Sequence, residues 1–270
     1  MPELPEVETS VQAIQKFKNQ NIESIEIFNP NLRWKVNTQD FQKLHGKKVL
    51  NITRRAKYIM LNFGEFEILI HLGMTGTLRI TDKYSNLYKK HDHIELIFGT
   101  EKIVFNDPRR FGSFHFISNV ENHFLLNSLG PEPLSKKFDG AYLFNKIKKS
   151  KSPIKNALMN QKNVVGIGNI YANEILFDAK IRPTRKCKTL TKKENMRIVD
   201  STKKILKLAI KAGGTTLQDF YRPDGNKGYF KIDLAVYDRA GKCCLFCEKE
   251  EITRIIQAQR ATFFCKKCQS

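Results

Sequence analysis

The 270 residues contain no apolar run approaching the 18 or so that a membrane helix requires. The N-terminus has no basic stretch leading into an apolar one, so no secretory signal is expected either. Internal repeats and low-complexity tracts are absent, and neither a solenoid nor a biased linker protein is indicated. Acidic residues are scarce: 27 Asp and Glu stand against 47 Lys and Arg, a formal charge of +20. An imbalance of that size exceeds what solubility needs and points to a polyanionic partner, although a generally basic proteome would supply part of it. It is also uneven, because residues 1–148 carry 21 basic and 16 acidic groups and residues 149–270 carry 26 and 11. The binding surface is therefore expected to be weighted toward the second half.

Cysteine is sparse too, and four of the six form Cys244-x2-Cys247 and Cys265-x2-Cys268. Two intervening residues let both thiolates of a pair converge on one ion, and two pairs complete a tetrahedral site, most often for Zn2+. The 17 residues from Glu248 to Phe264 between the pairs suffice for a β-hairpin too small to bury a core, so metal binding would be its folding energy. This pattern predicts reduced cysteines in a cytoplasmic protein, with Cys187 isolated and Cys243 a competitor beside the first ligand. Arg260 stands near the hairpin tip, where it could reach a phosphate or base.

The length accommodates two domains that each bury a core. A helix is expected over Glu6–Asn19, with Val7, Val11, Ile14 and Phe17 on one stripe and Pro5 in its first turn. Apolar segments at Ile52–Leu61, Phe66–Leu72, His93–Phe98, Lys102–Asn106 and Phe111–Ile117 predict antiparallel strands, assembled as a two-layer sandwich. Gly130-Pro131-Glu132-Pro133 reads as a stiff linker. Beyond it the period becomes helical at Ile154–Met159, Asn169–Phe177 and Lys192–Ala212, and Tyr229–Cys268 reads as hairpin-like.

The N-terminus offers a possible nucleophile. Removal of Met1 would expose Pro2 as a secondary amine that is partly neutral at physiological pH, able to attack a sugar anomeric carbon and form an iminium. Glu3 could then serve as acid and base while the sugar ring opens. Glu6 falls in the first helical turn, where the dipole stabilises its anion. By residue type alone, Pro2 and Pro5 read equally as stiffeners and the glutamates as capping charge.

Seven separated segments, in order, are PELPEVET from Pro2, RRAKY at 54–58, HLGMTG at 71–76, NDPRRFG at 106–112, VVGIGNIYANEILF at 164–177, GGTTLQDF at 213–220 and CLFC with QRATFFCKKCQ at the end. Together they make the chain resemble the bacterial formamidopyrimidine-DNA glycosylases from Pro2 to Gln269. The resemblance implies an α+β multidomain fold: an N-terminal antiparallel β-sandwich with flanking helices, a helix-two-turn-helix domain and a C-terminal zinc-finger β-hairpin. The implied boundaries are 2–130, a linker with the start of the helical region at 131–148, then 149–228 and 229–270. The implied partner is damaged double-stranded DNA lying in the cleft between domains. The activity is excision of 8-oxoguanine and formamidopyrimidines, followed by β,δ-elimination, in a monomer acting in the cytoplasm at the nucleoid.

Residue by residue, the resemblance makes Pro2, Glu3, Glu6 and Lys57 the catalytic group and Cys244, Cys247, Cys265 and Cys268 the ligands of one structural Zn2+. DNA contacts fall to His71, Met74, Arg109, Phe111, Lys155, Asn169 and Arg260. Met74, Arg109 and Phe111 match the set that fills the gap left by an everted nucleotide; a thioether, a guanidinium and an aromatic ring suit that task. The Gly166-Ile167-Gly168-Asn169 turn offers backbone N–H groups to a phosphate, or is a simple helix cap. A loop near Leu217–Tyr229 would cover the everted base. Two features depart from the pattern: the zinc-finger spacing is one residue longer than expected, with Glu248-Lys249-Glu250-Glu251 in place of a Gly-containing turn, and the chain ends on Ser270 instead of a basic residue. The competing readings are an oxidised-pyrimidine glycosylase of the endonuclease VIII branch and a non-catalytic zinc-containing DNA binder.

Overall fold

The computed structural model describes residues 1–85, 88–118, 123–214 and 234–270. The expected base-covering loop at 217–229 lies outside the described residues. The chain divides into two compact units, Met1–Asn127 with Ala212–Lys231 and Ser128–Lys211 with Ile232–Ser270. Among the described residues no helix is long and apolar enough to cross a membrane.

The first unit opens with α1, Leu4–Ile14, capped at Glu3 and carrying proline in its first turn. It is shorter than the expected Glu6–Asn19 because the chain tightens into a 3-10 turn at Gln15–Phe17 and then takes a left-handed conformation at Asn19. Phe17 nonetheless continues the buried stripe, packing 4.7 Å from Phe98 between ring centroids, so the apolar period ran past the real end of the helix.

There follow β1 (Ile22–Ile27), the short α2 (Thr38–Phe41), β2 (Asn51–Arg55), β3 (Tyr58–Asn62), β4 (Glu67–His71), β5 (Thr77–Asp82), β6 (Asp92–Phe98), β7 (Glu101–Asn106) and β8 (Ser113–Ile117). They form two four-stranded sheets, ordered β1-β6-β7-β5 and β2-β3-β4-β8, with every pairing antiparallel. One apolar cluster joins Val7, Val11 and Ile14 of α1 to Ile59, Leu61, Ile68 and Ile70 of one sheet and Leu96 and Ile103 of the other. This is the expected sandwich, with two corrections. Ile52–Leu61 is not a single segment but β2 and β3 folded about Ala56 and Lys57, Ala56 having φ 56°. No Gly or Asn marks that turn; Arg54 closes it by donating from its guanidinium to the Ala56 carbonyl at 2.9 Å. The strands β1 and β5 add to the segments expected.

The second unit holds α3 (Gly140–Ile147), α4 (Ile154–Met159), α5 (Asn169–Asp178), α6 (Lys192–Lys211), β9 (Ile252–Gln257) and β10 (Arg260–Cys265). α3 falls in the stretch expected to hold the linker and the start of the helical region. Asp139 caps it, accepting the Tyr142 N–H at 2.7 Å. The longer α6 lies so close that a Cβ on Gly140 would fall 2.4 Å from the Met196 side chain. The helical and hairpin segments share this unit because buried polar groups tie them together. Asn173 accepts the Phe263 N–H at 2.8 Å, and the Glu174 carboxylate of α5 accepts the N–H groups of Ala235, Val236 and Tyr237 at 2.8, 3.0 and 2.8 Å.

Candidate active site and nucleic-acid interface

At the start of α1, Pro2, Glu3 and Glu6 are all buried. Glu6 Oε2 accepts the Glu3 backbone N–H at 2.8 Å, one half of a capping box that fixes the peptide immediately after Pro2. Two further side chains hold this helical turn: Thr9 donates to the Pro5 carbonyl at 2.9 Å and Ser10 to the Glu6 carbonyl at 3.0 Å. The backbone of Gly214 rests on Glu6 with φ +88°, and a Cβ there would lie 3.0 Å from Glu6 Oε1. Gly214 thus fits where a side chain would not, and its role was invisible in the sequence because the contact joins residues more than 200 positions apart.

Lys57 is buried in the turn between β2 and β3. Arg54 anchors that turn to α1 through an ion pair with Glu8 at 2.7 Å. His71, at the end of β4, faces the same charges. Burial first, and then the positive charges of Lys57 and Arg33, push its pKa down to about 4. His71 is therefore neutral near pH 7. Because its Nδ1 accepts the Gly73 N–H at 3.0 Å, the ring proton sits on Nε2, which remains a donor. Arg33 was missed by the sequence reading. It is exposed, its guanidinium lies 4.5 Å over the Trp34 ring, and its N–H donates to the Gly112 carbonyl at 3.2 Å. Two cations and a neutral imidazole donor form a surface suited to phosphate oxygens.

Met74 and Phe111 are 39% and 44% exposed, which removes core packing as their reason for being there. Met74 lies in the β4–β5 turn. Arg109 and Phe111 lie in the β7–β8 turn, where the Arg109 guanidinium sits 4.7 Å from the Phe111 ring centroid. The two turns touch through glycine backbones: a Cβ on Gly73, at φ +64°, would fall 2.4 Å from the Gly112 nitrogen. Asp107, fully buried, also belongs to this junction, although the sequence singled out only its neighbours. Its oxygens accept the Thr75 hydroxyl and the Gly112 N–H, each at 2.7 Å.

In the second unit, Asn169 opens α5 after Gly168, and its buried Oδ1 has no hydrogen-bond partner among the described residues. The turn preceding it is held by Gln161, whose Oε1 accepts the Gly166 N–H at 2.8 Å while its amide donates to the Ile167 carbonyl at 3.2 Å. Lys155 is buried, and its ammonium donates to the Ala261 carbonyl at 2.9 Å and the Thr262 hydroxyl at 2.7 Å. In this geometry it pins α4 to β10. Arg260 opens β10 opposite Gln257, directly after a two-residue turn in which Ala258 and Gln259 have φ 48° and 60°. Arg260 is exposed at this tip.

The four paired cysteines converge. Their Sγ atoms all lie within 4.8 Å of one another, with Cys244–Cys268 at 3.9 Å and Cys247–Cys265 at 3.8 Å. Thiolates about 2.3 Å from a tetrahedral Zn2+ would stand about 3.8 Å apart, so the cluster is positioned to hold a structural zinc. The longer spacing between the pairs is absorbed outside the strands, where Glu248 takes φ 50° and the Cys244 N–H donates to the Glu250 carbonyl at 2.8 Å.

Two family profiles match the sequence: the formamidopyrimidine-DNA glycosylase N-terminal domain over residues 1–114 and the formamidopyrimidine-DNA glycosylase H2TH domain over 129–221. Similar full-length proteins include the formamidopyrimidine-DNA glycosylases of Photorhabdus laumondii, 45% identical with 100% of both chains covered, and Hydrogenovibrio crunogenus, 46% identical with 100% of this chain and 96% of the relative covered. Among solved structures, Lactococcus lactis Fpg in complex with abasic-site DNA is 35% identical over 99% of both chains at TM-score 0.89. A mutant of that protein with Fapy-dG-containing DNA is 35% identical over 100% of both chains at TM-score 0.90.

Proposed function

The chain belongs to the formamidopyrimidine-DNA glycosylase family, and on that premise we infer that it is a bifunctional repair enzyme that removes oxidised purines from duplex DNA and then cleaves the abasic strand. The observation that carries the chemistry is the 2.8 Å bond from the Glu3 N–H to Glu6, which holds the preceding proline at one place at the start of α1.

In this reading Pro2, freed of Met1, is the nucleophile. Its neutral nitrogen bonds to C1′, and the C1′–N bond to the damaged base breaks as the base departs with a proton. Glu3 protonates O4′, the sugar ring opens, and an iminium results. Loss of the C2′ proton expels the 3′ phosphate, a second elimination expels the 5′ phosphate, and water hydrolyses the remaining adduct to restore the amine. Glu6 positions Glu3 and Pro2. Lys57, Arg33 and His71 hold phosphate near the reacting sugar, and Asn169 and Arg260 grip the backbone elsewhere, with Lys155 fixing the hairpin that carries Arg260. Met74, Arg109 and Phe111 occupy the space of the everted nucleotide. Substrates on this reading are 8-oxoguanine and formamidopyrimidines.

Borohydride trapping tests the proposal. A duplex bearing 8-oxoguanine or an abasic site should become covalently linked to the protein, whereas an undamaged duplex should not. Extending the N-terminus should abolish both trapping and excision while duplex binding survives. Excision at the normal rate by protein whose Met1 is intact by mass spectrometry would overturn the proline mechanism. A lesion-binding protein that never traps would be a binder only, and preference for oxidised pyrimidines would place it with endonuclease VIII. We further infer a monomer that acts in the cytoplasm on chromosomal DNA, to be checked by sedimentation of the free and DNA-bound protein and by co-fractionation with the nucleoid.

A further inference from the structure

The junction beneath the three gap-filling residues is built from unusually polar parts. Asp107 has no exposed surface, and no Lys or Arg forms an ion pair with it among the described residues. A buried carboxylate compensated only by a hydroxyl and a peptide N–H is a poor way to gain stability, since apolar packing of the same volume would cost less desolvation. What it supplies is geometry, because each of its two oxygens accepts a bond from a different turn. Here one oxygen takes the Thr75 hydroxyl, from the residue after Met74, and the other takes the Gly112 N–H, from the residue after Phe111. Thr75 Oγ1 in turn accepts the Arg109 N–H at 3.3 Å. Outward from Asp107 the connections therefore reach the residue beside Met74, the backbone of Arg109, and the residue beside Phe111. Backbone contact at Gly73 and Gly112 closes the same junction sterically.

We propose that Asp107 and Thr75 are positioning residues that lock the Met74 turn to the Arg109–Phe111 turn, so that the three side chains enter a vacated nucleotide position as one rigid unit. The proposal rests on the gap-filling role assigned above. It adds that the role depends on a hydroxyl–carboxylate bond that touches neither DNA nor the reacting sugar. A loose Met74 turn would still fold, because β4 and β5 are held by their own ladders, but it would have to be ordered anew each time a base is everted. That cost falls on substrates that must be opened and spares those already open.

The test uses Thr75→Val, which removes the hydroxyl at nearly constant volume, and Thr75→Ser, which keeps it. Single-turnover excision from a paired 8-oxoguanine duplex should fall roughly tenfold in T75V, while cleavage at a preformed abasic site changes less than about twofold. T75S should recover the paired-lesion rate. In an Arg109→Ala background T75V should add less than about twofold, because both changes disable the same unit. Equal loss on both substrates, full additivity with Arg109→Ala, or no loss at all would overturn the clamp. Amide hydrogen exchange at Arg109 and Gly112 in the free protein gives a readout independent of catalysis. Faster exchange in T75V than in T75S supports the clamp even if the parent proves not to excise 8-oxoguanine, and unchanged exchange refutes it.

Discussion

The sandwich and the zinc hairpin solve the same problem by opposite means. Among the described residues the sandwich buries a cluster of 24 apolar residues, most of them from α1 and both sheets, and that core holds its strands together. The buried cluster of the hairpin is Val236, Cys244, Ile252, Phe263 and Cys265, so two of its five members are themselves metal ligands. Removing the metal therefore removes part of the core as well as the staple. Yet the regions differ the other way in their functional groups. The hairpin presents Arg260 from a regular strand end, whereas the sandwich presents its proposed reactive and gap-filling groups from a helix start and three turns, each held by buried polar bonds. The sandwich supplies buried charged groups from within itself, Glu3, Glu6, Lys57 and Asp107, whereas the charged groups buried against the hairpin, Lys155 and Glu174, come from the helices beside it.

The strongest way to break this comparison is at Glu3. Glu3→Gln keeps the Pro2 amine and the backbone N–H that Glu6 accepts, so excision of a damaged base should fall by about 10²–10⁴-fold, the usual range for general acid–base assistance. Cleavage of a preformed abasic site, whose sugar opens spontaneously, should persist, and a parallel collapse of both activities would remove Glu3 from ring opening.

On the hairpin side, Cys244→Ser or Cys265→Ser should abolish stoichiometric zinc and lower duplex affinity roughly tenfold through loss of the Arg260 contact, as calorimetry and metal analysis can show. The thermal transition of the sandwich should remain. Zinc retained at one equivalent in both variants would exclude the four-cysteine site.

Arg109→Ala should act more weakly than either, since it removes an exposed side chain from a well-held turn. Excision from a paired lesion should drop several-fold more than cleavage at an abasic site, because the second substrate is already largely unstacked. Equal losses would make Arg109 a general phosphate contact.

The smallest effect is electrostatic. His71 and His115 are both held near pKa 4, burial being the first cause for each, so the folded state binds fewer protons there than the unfolded chain. Their contribution makes stability fall as pH drops from about 6.5 toward 4 and leaves it flat above 6.5. Lys57→Gln removes one of the charges opposing protonation of His71, so its NMR titration midpoint should rise while staying below 6.5, since burial remains. A midpoint unchanged by the substitution would mean that Lys57 does not face His71.

Much of this was legible in one dimension. The C-x2-C pairs named a metal cluster because two-residue spacing geometrically limits where the thiols can point, and short apolar segments located most strands because a strand packed inside a sandwich buries much of its length. The β2–β3 turn escaped because Ala56 carries no turn signature and takes its positive φ under restraint from Arg54. The start of the helical region was expected within 131–148, but its first helix was not delimited, because the Asp139 cap that fixes where α3 begins is one Asp among ordinary surface residues. Lys155 enters as a DNA contact through the resemblance alone, and its burial against Ala261 and Thr262, more than 100 positions away, is not readable from its own neighbourhood.

By itself, then, the sequence determined what depends on local spacing and residue chemistry: the two layers of strands, the cysteine cluster, the candidate proline amine with its glutamates, and the family. Tertiary structure alone decided that Gly214 seats Glu6, that burial, helped by Lys57 and Arg33, keeps His71 neutral, and that Asp107 joins the Thr75 and Gly112 turns. These contacts join residues 14 to 208 positions apart along the chain, except for Asp107 and Gly112. No local pattern encodes them, because a buried polar group is defined by what the folded chain brings to it.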